Sequence, residues 1–139
     1  MKQTSYCLVL AGGVLFSTAC KDSQACESAR LELGRMWKEA KATASKNQVI
    51  RPDVIGEMND AEKNQHIETW TDLTAKAELL ESSYQTTQVT WDSAEQAEKE
   101  LQTELATYKG HQPKIAFQGF EMLVKEAAEK SKKFEQQCR

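Results

Sequence analysis

Between Gly56 and Gly110 the chain contains neither glycine nor proline. So long a stretch without a backbone breaker favours helices, unless its apolar residues alternate at period two. They do not. Trp70, Leu73, Ala77, Leu80, Tyr84, Thr87, Trp91, Ala94, Leu101, Leu105 and Tyr108 follow one another at helical steps of three and four. Glu98 occupies the one missing step, and Ala97 beside it partly covers the gap. A phase that survives from Leu80 through Trp91 predicts one helix over residues 60–109, because a loop normally resets the register. At ~1.5 Å per residue that helix is a rod of roughly 73 Å.

One local signal opposes the rod. Ser82, Ser83, Thr86, Thr87 and Thr90 lower helix propensity, and Asp92 followed by Glu95 has capping-box spacing. A break near 85–91 is therefore the alternative, and it turns the rod into two arms of a four-helix up-down bundle.

The flanks are also helical. Cys26, Ala29, Leu33, Met36 and Ala40 form a stripe over residues 22–46, widened by Trp37 and Ala44, with Gly34 a local weak point. Residues 47–59 connect it to the long helix and hold Pro52 and Gly56. Their apolar side chains predict packing on the helices and a short helical turn. Asn59 and Glu62 have capping-box spacing. Gly110 and Pro113 mark a tight reversal. Beyond it Phe117, Phe120, Val124, Ala127, Ser131, Phe134 and Cys138 define a last helix over 113–137. The expected fold is thus all-α, an antiparallel helical bundle or coiled coil.

Chemistry is sparse. His66 and His111, the two histidines, lack acidic or cysteine neighbours at ligand spacing and read as solvated, so no metal site is expected. There is no CxxC, no phosphate-binding glycine loop in the mature part and no nucleophile elbow. Glu95, Glu98, Lys99, Glu100 and Glu104 read as a solvated charged face. No catalytic residue and no cofactor is predicted, and the chain is not expected to be an enzyme. The aromatics read as core. A thin rod cannot fully bury Trp70, Tyr84 and Trp91, which makes these three the candidate partner surface.

The first 20 residues set the compartment. Lys2 precedes an unbroken apolar run over residues 7–16, then Ser17, Thr18, Ala19 and Cys20. The run is too short to span a bilayer, which needs ~20 apolar residues, and the arrangement is that of an export leader. An ordinary leader and an uncleaved anchor are the alternatives. Ala19 before Cys20 resembles the lipobox of bacterial lipoproteins, with Ser17 where leucine is usual. The resemblance implies a leader over 1–19, cleavage between Ala19 and Cys20, and acylation of Cys20. It thereby implies one domain, residues 20–139, held firmly at a membrane. Such lipoproteins are retained at the inner membrane when Asp follows the cysteine. Lys21 stands there instead and points to the outer membrane, facing the periplasm, with inner membrane and cell surface as alternatives.

With Cys7 lost and Cys20 lipidated, Cys26 and Cys138 remain. Both lie on apolar stripes near opposite ends of the mature chain. In an exported protein they are expected to pair, and either helical architecture brings them together. Without Lys2 the chain has 17 Lys and Arg against 21 Asp and Glu, a charge of −4 that excludes broad nucleic-acid binding. The predicted function is a non-catalytic envelope adaptor or assembly factor working through helix contacts with an envelope protein. The alternatives are a structural spacer or self-associating protein and a chaperone-like binder of apolar cargo. The small lipoprotein that ties the outer membrane to the cell wall ends in lysine, unlike the Cys138-Arg139 end here. The Leu-Thr-x-x-Gln motifs of helical periplasmic chaperones have no counterpart.

Overall fold

The computed structural model describes residues 23–108 and 114–139. The described residues form helices α1 (Ser23–Gln48), α2 (Pro52–Ile55), α3 (Asp60–Gln85), α4 (Trp91–Thr107) and α5 (Lys114–Cys138). Packing runs α1 on α3, α3 on α4, α4 on α5 and α5 back on α1. Each long helix lies antiparallel to its neighbours, so the fold is a four-helix up-down bundle. The α1 start, the α3–α4 link and the α5 end meet at one pole, the base. The α1–α3 connection, the end of α4 and the start of α5 share the other pole, the crown.

The all-α expectation holds; the unbroken rod over 60–109 does not. Helix α3 ends at Gln85, and its C-cap Thr86 is extended at φ −102°, ψ 155°. Thr86, Thr87, Val89 and Thr90 are β-branched and resist helical χ1 geometry. The Thr86 hydroxyl donates to the Gln88 carbonyl at 2.8 Å, an alternative to the helical ladder. Arg30 completes the stop from α1. Its Nη1 donates to the Tyr84 carbonyl at 2.7 Å, satisfying a terminal acceptor and placing a cation on the negative end of the helix. Folding back at residue 86 also buries Ala94, Ala97, Leu101 and Leu105 within the bundle.

The seven-residue step from Tyr84 to Trp91 survives because both residues face inward across the link. Phe134 lies 5.9 Å from Tyr84 and 5.1 Å from Trp91, ring centre to ring centre. Thr87, assigned to the stripe on the rod reading, is exposed. Helix α4 starts at Trp91, and its N-cap Thr90 makes no side-chain capping bond. Asp92 lies in the first turn, where its charge suits the helix dipole. The box at Asn59 does form: Asn59 Oδ1 accepts from the Glu62 amide at 2.8 Å, and Glu62 Oε1 accepts from the Asn59 amide at 2.9 Å.

Helix limits otherwise follow the stripes within about two residues, the usual uncertainty at frayed ends. The connection after α1 contains the expected helical turn, α2, begun by Pro52 and followed by Gly56. The core is continuous from crown to base, with Trp37, Leu73 and Leu80 fully enclosed. Glu81, itself buried, is paired by Lys41 Nζ at 2.9 Å across α1 and α3. Among the described residues no helix is long and apolar enough to cross a membrane.

Candidate functional site

Two parts of the molecule combine unusual chemistry with access to solvent: the base and the seam between α4 and α5. The base is closed covalently. Cys26 in the first turns of α1 and Cys138 at the end of α5 form a disulfide with Cα atoms 5.8 Å apart, across 112 residues of sequence. The pairing expected from the sequence is therefore present. The bridge is half-buried and sits in the wall of a hollow of about 490 Å³ that also touches Val89, Trp91 and Phe134. Beside it Arg139 stands 5.6 Å over the Trp91 ring and pairs with Asp92 at 3.1 Å and Glu135 at 2.6 Å. Ala19, Cys20 and the other residues of the expected leader and lipid site lie outside the described residues, as do His111 and the reversal expected over 109–113.

Of the three aromatics named as a partner surface, Trp70 and Tyr84 are 0% and 1% exposed. Four helices enclose what a two-helix rod would have left open. Trp70 meets Tyr108 and Phe120 edge-on at 5.6 and 5.2 Å, and its Nε1 donates to the Tyr108 hydroxyl at 3.1 Å. Only Trp91 reaches the surface, and only in part. The core reading of the aromatics stands, and these three residues do not form a common face. His66, expected in solvent, is buried with its Nε2 2.8 Å from the Asn47 carbonyl. It ties the start of α3 to the end of α1.

A cleft of about 560 Å³ runs along the α4–α5 seam. Its floor is polar: Tyr84 Oη from α3 and Ser131 Oγ from α5 lie 2.8 Å apart, and the Ser131 hydroxyl also hydrogen-bonds the Glu98 carboxyl of α4. Burial raises Glu98 to about 7, opposed by the Ser131 hydrogen bond and reinforced by Glu135 and Glu95. Lys99, Lys125 and Lys132 stand at the exposed rim.

A second raised carboxyl lies on the other flank of α4. Burial raises Glu104 to about 7, with Asp72 of α3 adding to the effect. The pair shares a hydrogen bond whose proton stays on Glu104, while Asp72 is held below the usual carboxylate range by Glu104 and then by Lys76. Lys76 pairs with Asp72 and lies 3.6 Å from Glu104 Oε1.

Glu98 and Glu104 were both read from sequence as part of a solvated face. The signal for Glu98 was its place in the apolar phase, the single step at which α4 points a carboxylate inward. Glu104 carries no such mark, because its burial depends on Asp72 and Lys76 from another helix. Among the described residues no group of three or more His, Cys, Asp or Glu is placed to hold a metal ion. Comparison of the chain with known protein families, curated proteins and solved structures finds no match.

Proposed function

We propose that this chain is an exported lipoprotein of the bacterial cell envelope. Its leader over 1–19 is removed, Cys20 is acylated, and the helical body works at a membrane surface as a non-catalytic adaptor or assembly factor. The observation that carries this reading is the Cys26–Cys138 disulfide. Such bridges persist in oxidising compartments outside the cytoplasm. The bridge also uses the two cysteines left once Cys7 is assigned to the leader and Cys20 to the lipid.

The tether and the bridge are six residues apart in sequence, so the base faces the membrane and the crown points away. Lys21 directs the chain to the outer membrane, on the periplasmic side. Action by contact follows from the helical body and from the lack of a recognisable catalytic set in the sequence; the partner is another envelope protein. The spacer reading drew its support from a rod of roughly 73 Å, whereas helices of 26 residues span about 39 Å. The apolar-cargo reading gains nothing from a core that is filled and a cleft between α4 and α5 that is rimmed by charge.

Mass spectrometry of the full chain recovered from bacterial membranes tests the first half of the proposal. A mature N-terminus at Cys20 carrying acyl mass is expected, and Cys20→Ala should release the protein from the membrane fraction. A mature chain that starts elsewhere or carries no lipid overturns it. Crosslinking of the anchored protein in intact envelopes, followed by affinity capture, tests the second half. One defined envelope partner is expected, and recovery of the chain alone or only with itself overturns the adaptor reading.

A further inference from the structure

We propose that α4 is a proton-gated arm of the bundle, docked while Glu98 and Glu104 hold their protons and loosened from α5 and α3 when both carboxyls ionise. The inference concerns the folded body alone and does not depend on how the chain is anchored.

Helix α4 is the shortest of the four long helices, held to α5 at its start by the Trp91–Phe134 stack and the Arg139–Asp92 pair. It has 17 residues against 25 or 26 in the others. Its buried face consists of Ala94, Ala97, Leu101 and Leu105, with no buried aromatic. The disulfide ties α1 to α5 and bypasses α4. Arg30 and Lys41 hold α3 to α1 through the Tyr84 carbonyl and Glu81. Apolar burial stabilises in proportion to area, so a face of two alanines and two leucines resists displacement less than its neighbours do.

One half-buried carboxyl stands on each flank of this arm. Glu98 faces Ser131 and Glu135 on α5, Glu95 and Lys99 on its own helix and, through Ser131, the Tyr84 hydroxyl of α3. When protonated it fits the polar floor as a neutral hydrogen-bonding group. When ionised it meets Glu135 and Glu95, and the lysines of the rim stand in water where their attraction is screened. Glu104 faces Asp72 and Lys76 on α3, with Glu100 one turn away on α4 also acting on Lys76. When Glu104 ionises, the hydrogen bond it gives Asp72 disappears and two carboxylates compete for a single ammonium.

Both seams that hold α4 therefore acquire like-charge repulsion on deprotonation. Burial places both transitions at about 7, so the seams weaken over the same pH range. The fold direction follows. A carboxyl raised above its unfolded value stabilises the docked form fully below about pH 4.5, and that contribution is lost as pH rises through about 7.

Hydrogen exchange on the full chain with its bridge intact tests the proposal, read as protection factors corrected for intrinsic rate at about pH 5.5 and about pH 8. Amides of α4 should lose protection at the higher pH by roughly tenfold more than those of α1, α3 and α5. The pair Glu98→Gln and Glu104→Gln, which imitates the protonated carboxyls, should hold α4 protected at both pH values. Glu126→Gln on the exposed face of α5 should keep the parent behaviour. Loss of protection in step across all four helices overturns the proposal, as does α4 protection that is indifferent to pH. So does a double variant that retains the parent's pH dependence.

Discussion

The crown and the base of the bundle are closed by opposite means. At the crown, Trp70 is fully enclosed by Tyr108, Phe117 and Phe120, with ring centres 5.2 to 6.5 Å away. Two hydrogen bonds, from Trp70 to Tyr108 and between His66 and the Asn47 carbonyl, complete it. At the base, Tyr84, Trp91 and Phe134 make a smaller cluster beside the polar layer of Ser131 and Glu98, with Trp91 partly exposed. Buried aromatic surface and edge-to-face contacts make the crown self-supporting. The base interrupts its apolar packing with hydroxyls and a carboxyl, and it is there that the chain carries its covalent clasp. The difference separates two ways of holding helix ends together: burial where side chains fill the space, and a cross-link where polar groups take part of it.

Removing the clasp should have the largest effect. Replacing Cys26 and Cys138 by serine should cost about 4–5 kcal/mol by the chain-entropy account of a loop longer than 100 residues. Equilibrium denaturation measures it, and hydrogen exchange should show the base opening before the crown. A bridge-free variant that opens first at the crown would reverse the comparison.

Truncating one aromatic at each end sharpens it. Trp70→Ala and Phe134→Ala should each cost about 3–5 kcal/mol through transfer and cavity terms. Their coupling to the bridge should differ. Trp70→Ala should add to the loss of the disulfide, being remote from it, whereas Phe134→Ala should be non-additive because Phe134 packs next to the clasp. Double-mutant cycles with the serine variants provide the readout, and equal coupling at both ends would remove the distinction.

The polar layer gives a smaller effect of defined sign. Glu98 is raised to about 7 in the folded chain, so its ionisation destabilises the fold, and the loss grows as pH rises from about 4.5 to about 7 and then levels off. Glu98→Gln should stabilise the protein at about pH 8 by about 1–2 kcal/mol, allowing for water's screening of a partly exposed carboxyl. It should change little near pH 4.5, where both side chains are neutral. Denaturant midpoints at the two pH values decide it, and a variant less stable than the parent at about pH 8 would show that the ionised carboxyl is satisfied in the layer.

The smallest change concerns Gly34, which α1 lays against the Tyr84 backbone. An added Cβ would meet the Tyr84 carbonyl oxygen at 3.7 Å, an ordinary contact. Gly34→Ala should therefore raise stability by about 0.5–1 kcal/mol through helix propensity. A loss instead would mean that the base is packed more tightly than its polar layer suggests.

Most of the architecture was legible in local patterns. The stripes gave the limits of the first and last long helices, Asn59 and Glu62 gave the start of α3, and the shared apolar placement of Cys26 and Cys138 gave the bridge. The break after Gln85 was readable only as a competing signal. Its deciding contact, Arg30 on the Tyr84 carbonyl, joins residues 54 positions apart. Periodicity records which way a side chain faces and is blind to a link whose flanking residues both face inward. The same blindness hid the candidate site. Trp70 and Tyr84 looked like leftover surface only on the assumption of two helical layers. Glu104 and His66 looked solvated because the helices that cover them come from elsewhere in the chain. Glu98 was visible as an interruption, and its meaning became plain only when Ser131 and Tyr84 arrived from α5 and α3.

The Cys26–Cys138 bridge also changes what kind of object the folded body is. Everything from the first turns of α1 to the last turn of α5 belongs to one covalent ring. A single peptide cut in the α1–α3 connection or in the 86–90 link leaves no free fragment, since both pieces stay joined through the sulfur atoms. A pull on the chain ahead of Cys26 reaches the end of α5 through the bridge before it can peel either helix from the bundle. Damage and tension that would dismantle an open four-helix bundle are thus shared around a closed one.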